Sequence, residues 1–229
     1  MSDSPSENPF SGLPFFGDMA KAMSSQGPLQ WDVARQTAMM TALSGNSTEP
    51  NVDPAARVGI EQLVPIADLH VRNHTGLDTA SAGKLPHVVV VNRSMWVHHT
   101  LESYKPLFNE LATSLSGSPI IPTDALDVHQ DDPMMNMMAS LNKMMAPAMM
   151  GMSVGTMVGQ LALKSFGQYD LPLPREPRDQ MLIVASNVDE FANDWSIPID
   201  DMRMWVLIHE LTSHAVLTSP HIRTAVSAA

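Results

Sequence analysis

The chain has 229 residues, with 13 Lys+Arg against 24 Asp+Glu and a formal charge of −11. This deficit of basic residues argues against a general nucleic-acid binder, since neutralising phosphates needs clustered Lys and Arg. Cysteine is absent, which excludes disulfide scaffolds, thiolate metal sites and Cys nucleophiles and leaves His, carboxylates, Ser, Thr and Tyr to carry any chemistry.

Residues 1–12 are rich in Ser, Pro and Asn, and this composition predicts disorder. The opening MSDSPSENPFSGLPFF lacks a basic segment leading into an apolar run, so no secretory signal is expected and the chain reads as cytoplasmic. Leu13, Phe15, Phe16, Met19 and Met23 follow at roughly helical spacing. Gly27-Pro28 opens a helix with Trp31, Ala34, Ala38 and Ala42 on one face. Residues 44–52 read as a polar linker. Asp53-Pro54 is an N-cap followed by Pro at the first helical position. The helix it starts carries Val58, Ile60, Leu63, Val64, Ile66, Leu69 and Val71, with a kink expected at Pro65.

After a loop at 75–86, His87–Val91 is a β-branched run suited to a buried strand. Ser94 then reads as the cap of a helix carrying Trp96, Leu101, Tyr104, Leu107, Leu111 and Leu115, interrupted or kinked at Pro106. Pro119 and Pro122 close it, before an acidic loop with Asp124, Asp127, Asp131 and Asp132. Pro133 to Phe166 is helical by composition, with a break expected near Pro147. The prolines of 167–178 call for extended chain, and Met181–Ala185 is a second short strand. Asn187 and Glu190 have capping-box spacing for a brief helix ending near Trp195. A long helix follows from Ile199 to Leu217, and Ser219-Pro220 caps another. The expected fold is mainly α with two short strands.

Of 19 methionines, ten lie between Met134 and Met157, where flexible thioether side chains supply adaptable apolar volume. Twenty residues from Met144 to Leu163 carry no charge, the length of a membrane span. Aromatic belts and a flanking basic cluster are missing, and the stretch contains Pro147, Gln160 and several small residues. Gly151, Gly155 and Gly159 therefore read as the face of a buried helix that lets another backbone approach closely, and membrane contact is disfavoured.

Nine histidines occur. His70 and His74 lie one turn apart on a helix without accompanying carboxylates and read as solvent-facing. His98 and His99 point in different directions, and His129 belongs to the acidic loop. The last long helix differs, because His209-Glu210 follows the apolar run Met204 to Ile208. A His-Glu pair opens the HExxH pattern, in which one helical turn presents two imidazoles to zinc and the Glu serves as base toward the metal-bound water. Here Ser213 stands four residues after His209, and His214 stands five after it. Five steps of about 100° turn His214 about 140° away from His209, so only a one-residue bulge would let both hold one ion. As an isolated dipeptide, His-Glu at a helix end also fits a plain capping role.

GPLQWDVARQ, VVVVNRSMWV, FGQYDLPLPR and ASNVDEFANDWSIPIDDMRMWVLIHELTSHAVLTSPHIR together resemble the bacterial zincin-like metallohydrolases, also called zinc-dependent metalloproteases. Some members of that family are associated with deazaflavin-cofactor biosynthesis. The resemblance implies a zincin-like helical fold, a zinc cofactor, His209 as metal ligand and Glu210 as catalytic base. Members typically read HExxHH, so Ser213 replaces the second ligand and His214 matches the histidine after it. His214 becomes a metal ligand only with the bulge. The family also takes an acidic third ligand from a later helix, whereas Ala215 to Ala229 holds no Asp or Glu. Residues 13–229 accordingly read as the N-terminal part of a zincin-like helical domain, cut short after its motif helix.

Two functions follow from different classes. One is a zinc-dependent metallohydrolase acting on an amide such as a peptide, impaired by its missing ligands; the other is a non-catalytic helical binding or scaffold protein. Met204, Trp205, Leu207, Ile208, Leu211 and Leu217 surround the motif helix too widely for one neighbour to cover. Self-association is therefore expected.

Overall fold

The computed structural model describes residues 27–46, 48–80, 84–116, 133–171 and 180–227. In chain order they form α1 (Trp31–Ala42), α2 (Pro54–Thr75), β1 (His87–Val91), α3 (Arg93–Ser116), α4 (Pro133–Ala162), β2 (Gln180–Val184), α5 (Ala185–Asp194), α6 (Ile199–Thr218) and α7 (Pro220–Ser227). Among the described residues the fold is mostly helical with two short strands, as the sequence predicts and consistent with a zincin-like helical fold. The expectations for residues 1–23, for the acidic loop with His129 and for 172–178 lie outside the described residues. None of the described helices is long and apolar enough to cross a membrane.

The chain divides into two compact units, one comprising the described residues up to Thr37 with Lys105–Thr156, the other Ala38–Tyr104 with Met157–Ala229. In the first unit, the Trp31 indole N–H donates to Asn109 Oδ1 at 3.0 Å, and the Lys105 ammonium lies 5.5 Å from the Trp31 ring centre. Here α1 and α4 meet backbone to backbone. A Cβ on Gly155 would fall on the Ala34 carbonyl oxygen and lie 2.8 Å from Thr37 Cβ; one on Gly151 would lie 2.6 Å from the Gln30 oxygen. Within the second unit, a Cβ on Gly159 would lie 2.5 Å from Thr41 Cβ. The small-residue spacing thus serves a close helix crossing.

The second unit is built around a parallel pair of strands. β1 and β2 run in register from His87 opposite Gln180 to Val91 opposite Val184. Apolar residues are buried along both strands, as expected for strands covered on both faces. Ile60, Val64, Ala67 and Val71 of α2 pack with Val88 and Val90, Met181 and Ile183, Val188 of α5, and Val206, Leu207 and Leu211 of α6. Asp53 caps α2 by accepting the Ala55 N–H at 2.9 Å, and Gly76 ends it at φ 68°, a left-handed conformation suited to glycine.

Several local expectations are corrected. Pro147 does not break α4, and Pro106 does not interrupt α3; both helices run through. A proline removes one intrahelical hydrogen bond, a loss that tertiary packing can offset. In α4, Gly151 and Gly155 lock the turns after Pro147 against α1. Ser94 does not cap α3. The Glu49 carboxylate instead accepts the Arg93 and Ser94 N–H groups at 2.7 and 2.8 Å, and Asn92 Oδ1 accepts that of Met95 at 2.9 Å. Asn187 is likewise not an N-cap. It lies inside α5, buried, donating to the Ala162 and Ser165 carbonyls at 2.9 and 2.7 Å and accepting from Arg93 Nε at 2.7 Å. Its amide thereby ties the end of α4 to α5, a tertiary use that outweighs a local cap.

Candidate functional site

The site lies in the second unit, where α6 meets the five residues Phe166–Asp170. Met202, Val206, Leu207, Glu210, Leu211 and His214 form the buried face of α6. The spacing of the apolar residues therefore carries Glu210 and His214 inward with them, while His209 sits on the flank. The Trp205 ring, one turn earlier, stacks on the His209 imidazole at 5.6 Å between centres and 12° between planes. This contact limits the orientations open to the ring.

Phe166–Asp170 is a turn built to meet Glu210. Asp170 closes it, Oδ2 accepting the N–H groups of Phe166 and, at 2.9 Å, Gly167. The Phe166 carbonyl accepts from Val184 N–H at 2.8 Å, and the Gly167 carbonyl from the Trp96 indole at 2.7 Å, so the start of this segment is anchored to the core. At its centre the N–H groups of Gln168 and Tyr169 donate to Glu210 Oε2 at 2.8 and 3.0 Å, and Tyr169 N–H also reaches Oε1 at 3.2 Å. Gly167 is required by contact, because a Cβ there would lie 2.7 Å from Glu210 Oε2.

His209 Nδ1 lies 3.4 Å from Glu210 Oε1. Glu210 is fully buried, and desolvation pushes its carboxyl pKa up, against the lowering effect of the His209 and backbone hydrogen bonds. The hydrogen bond to Glu210 raises the His209 pKa, with the Glu210 and Asp170 charges adding to it and partial burial opposing it. Asp170, His209 and Glu210 each bring one donor atom into a group whose members all lie within 4.8 Å of one another.

The sequence-predicted residues separate here. His209 and Glu210 come together. His214 goes elsewhere: α6 is α-helical without a bulge from His209 to His214, and His214 Nδ1 shares a 2.7 Å hydrogen bond with the Tyr169 hydroxyl. His214 thus holds the far side of the same turn that Glu210 holds at its centre. Asp170 and Gly167 were not singled out by sequence reasoning. Both lie in FGQYDLPLPR, a segment that carries the family resemblance but no local signal of contact with the motif helix.

As donors, one imidazole and two carboxylates form a set that a divalent cation accepts, and three protein groups is the number usual in catalytic zinc sites. The set lacks the second imidazole, because Ser213 occupies that position of the helix.

The chain resembles a solved structure from Chloroflexus aurantiacus, of a candidate hydrolase with a novel fold, at a TM-score of 0.56 and 20% identity. The likeness covers 86% of this chain and 56% of that protein, so this chain spans little more than half of its length. At that identity the likeness concerns the fold. No curated protein matches the chain. Residues 29–224, which include α1 to α6 and the whole Phe166–Asp170 turn, match the Zincin-like metallopeptidases, and the chain belongs to that family.

Proposed function

We propose that the protein is a zincin-type metallohydrolase whose site is centred on His209 and Glu210, with an amide such as a peptide as the substrate class. Its hydrolytic capacity is impaired because serine stands at position 213. The observation that carries this reading is that His209, Glu210 and Asp170 bring donor atoms within 4.8 Å of one another in a chain of the Zincin-like metallopeptidase family.

In this reading His209 provides the imidazole that would hold zinc. The ion, when bound, supplies Lewis-acid polarisation of a carbonyl and activation of water. Glu210 would take a proton from the attacking water and give it to the departing amine nitrogen as the amide C–N bond breaks. Its carboxylate is held in one place by the Gln168 and Tyr169 amides, and its raised pKa moves it toward the range in which a base works near neutral pH. Trp205 keeps the His209 ring in orientation. With a single imidazole the hold on zinc is weak, since catalytic sites with tight metal use two or three.

The second reading, a non-catalytic binding scaffold, is favoured by one observation. Both oxygens of Glu210 already accept backbone N–H bonds, as in a purely structural anchor. Trp195 and Trp205, 69% and 56% exposed, would serve such a protein as contact surface, and self-association through them is the related proposal. Light scattering should find a concentration-dependent dimer that Trp205→Ser weakens; a monomer at all concentrations would refute it.

Metal analysis distinguishes the main readings. After zinc loading and dialysis the protein should retain well under one zinc per chain. Ser213→His restores the imidazole one turn from His209 and should raise zinc affinity at least about tenfold, bringing the content toward one. Adding His209→Ala to that variant should abolish the gain. No gain from Ser213→His, or zinc retained without His209, would favour the scaffold.

A further inference from the structure

The resemblance discussed above places the family's acidic ligand downstream of the motif helix. The structure offers a carboxylate from the opposite direction in the chain. Asp170 lies in the turn before β2, and its donor atom joins those of His209 and Glu210 within 4.8 Å.

Three features make Asp170 suited to holding an ion. Its position is set by the backbone: Oδ2 accepts two turn amides, and Oδ1 takes part in neither bond. The turn is itself immobilised from several sides, by Glu210 at Gln168 and Tyr169, by His214 at the Tyr169 hydroxyl, and by Trp96 at Gly167. A rigid support of this kind fixes a ligand before the metal arrives, which is what outer hydrogen bonds do in metal sites. Finally, Asp170 is exposed, so an ion can reach it, while Glu210 is fully buried with both oxygens engaged by amides. Of the two carboxylates, Asp170 has the better access and Glu210 the better placement as the neighbouring base.

We propose that Asp170 is the acidic ligand of the zinc site, paired with His209 and delivered by the Phe166–Asp170 turn. This rests on the reading of His209 as the imidazole ligand.

The test is titration of the full chain with Zn²⁺ alone, followed by calorimetry and by the fluorescence of Trp205, which stacks on His209. Asp170→Asn retains a carbonyl oxygen for the two turn amides but removes the charge. It should weaken zinc binding at least about tenfold while shifting the Tm of the metal-free protein little. Asp170→Glu, which keeps the charge, should recover part of the affinity. Zinc binding by Asp170→Asn equal to that of the unaltered chain would overturn the proposal. His209→Ala separates the two levels: if it abolishes binding while Asp170→Asn does not, His209 stands as ligand and the role of Asp170 fails. If His209→Ala leaves binding intact, the reading of the whole site fails. Repeating Asp170→Asn in the Ser213→His background, with its higher expected affinity, gives a second measurement, and loss of at least tenfold is again the expected result. Should Asp170→Asn lower both Tm and affinity, an Asp170→Glu variant with restored Tm but no restored affinity would overturn the ligand role.

Discussion

Glu210→Ala should destabilise the protein by about 3 kcal/mol or more, whereas Glu210→Gln should cost much less. The alanine leaves the N–H groups of Gln168 and Tyr169 without their acceptor in a buried place, and each such loss costs roughly 1–3 kcal/mol. It also opens a cavity between α6 and the turn, because Gly167 has no side chain with which to fill it. Removing a desolvated carboxylate returns part of this cost. Glutamine keeps one oxygen, enough to accept both amides where Oε2 now does, and fills the same volume. Urea unfolding of the three proteins measures the difference. Equal losses for Ala and Gln would mean that the charge of Glu210, not its hold on the turn, supports the fold.

The second large effect is expected at Gly155. Even a methyl group there meets the Ala34 carbonyl and Thr37 Cβ, and Gly155→Leu adds three more carbons at a backbone contact. Overpacking typically costs about 1–3 kcal/mol when side chains can shift. The obstacle here is main chain, so Gly155→Leu should reach the top of that range or exceed it. Met152→Leu, on the exposed side of the same helix with Met152 54% accessible, should change stability by less than about 0.5 kcal/mol. Thermal unfolding of both variants checks this. An unchanged Tm for Gly155→Leu would mean that α1 and α4 do not cross closely at this position.

The helices and strands were legible because the signals are local. Alternation of apolar residues, the Asp53-Pro54 start and the run HVVVV each act within a few residues. Local signals mislead where a distant residue takes over a local role. Glu49, more than forty positions before the start of α3, caps it in place of Ser94. Asn187 spends its side chain on the carbonyls ending α4. Pro147 would break an isolated helix, whereas here the glycines beyond it pack the helix in place.

The site divides along the same line. His209 and Glu210 are adjacent on one helix, so the motif exposed them. The turn that receives Glu210 lies 41 and 42 residues away along the chain, and nothing in HELTSH indicates it. The partner of His214 is equally remote, since helical geometry excluded a shared ion with His209 but could not name Tyr169. Asp170 was hidden by the same separation.

The central claim is that His209 and Asp170 hold the ion, with Glu210 beside them as the base, while His214 serves the Tyr169 turn. Histidine imidazole ¹⁵N spectra of the zinc-titrated Ser213→His variant, assigned by single histidine substitutions, test it most directly. The ring nitrogens of His209 should shift on saturation, and those of His214 should keep the signature of the Tyr169 hydrogen bond. A His214 ring that binds the ion while His209 stays unchanged would contradict the account.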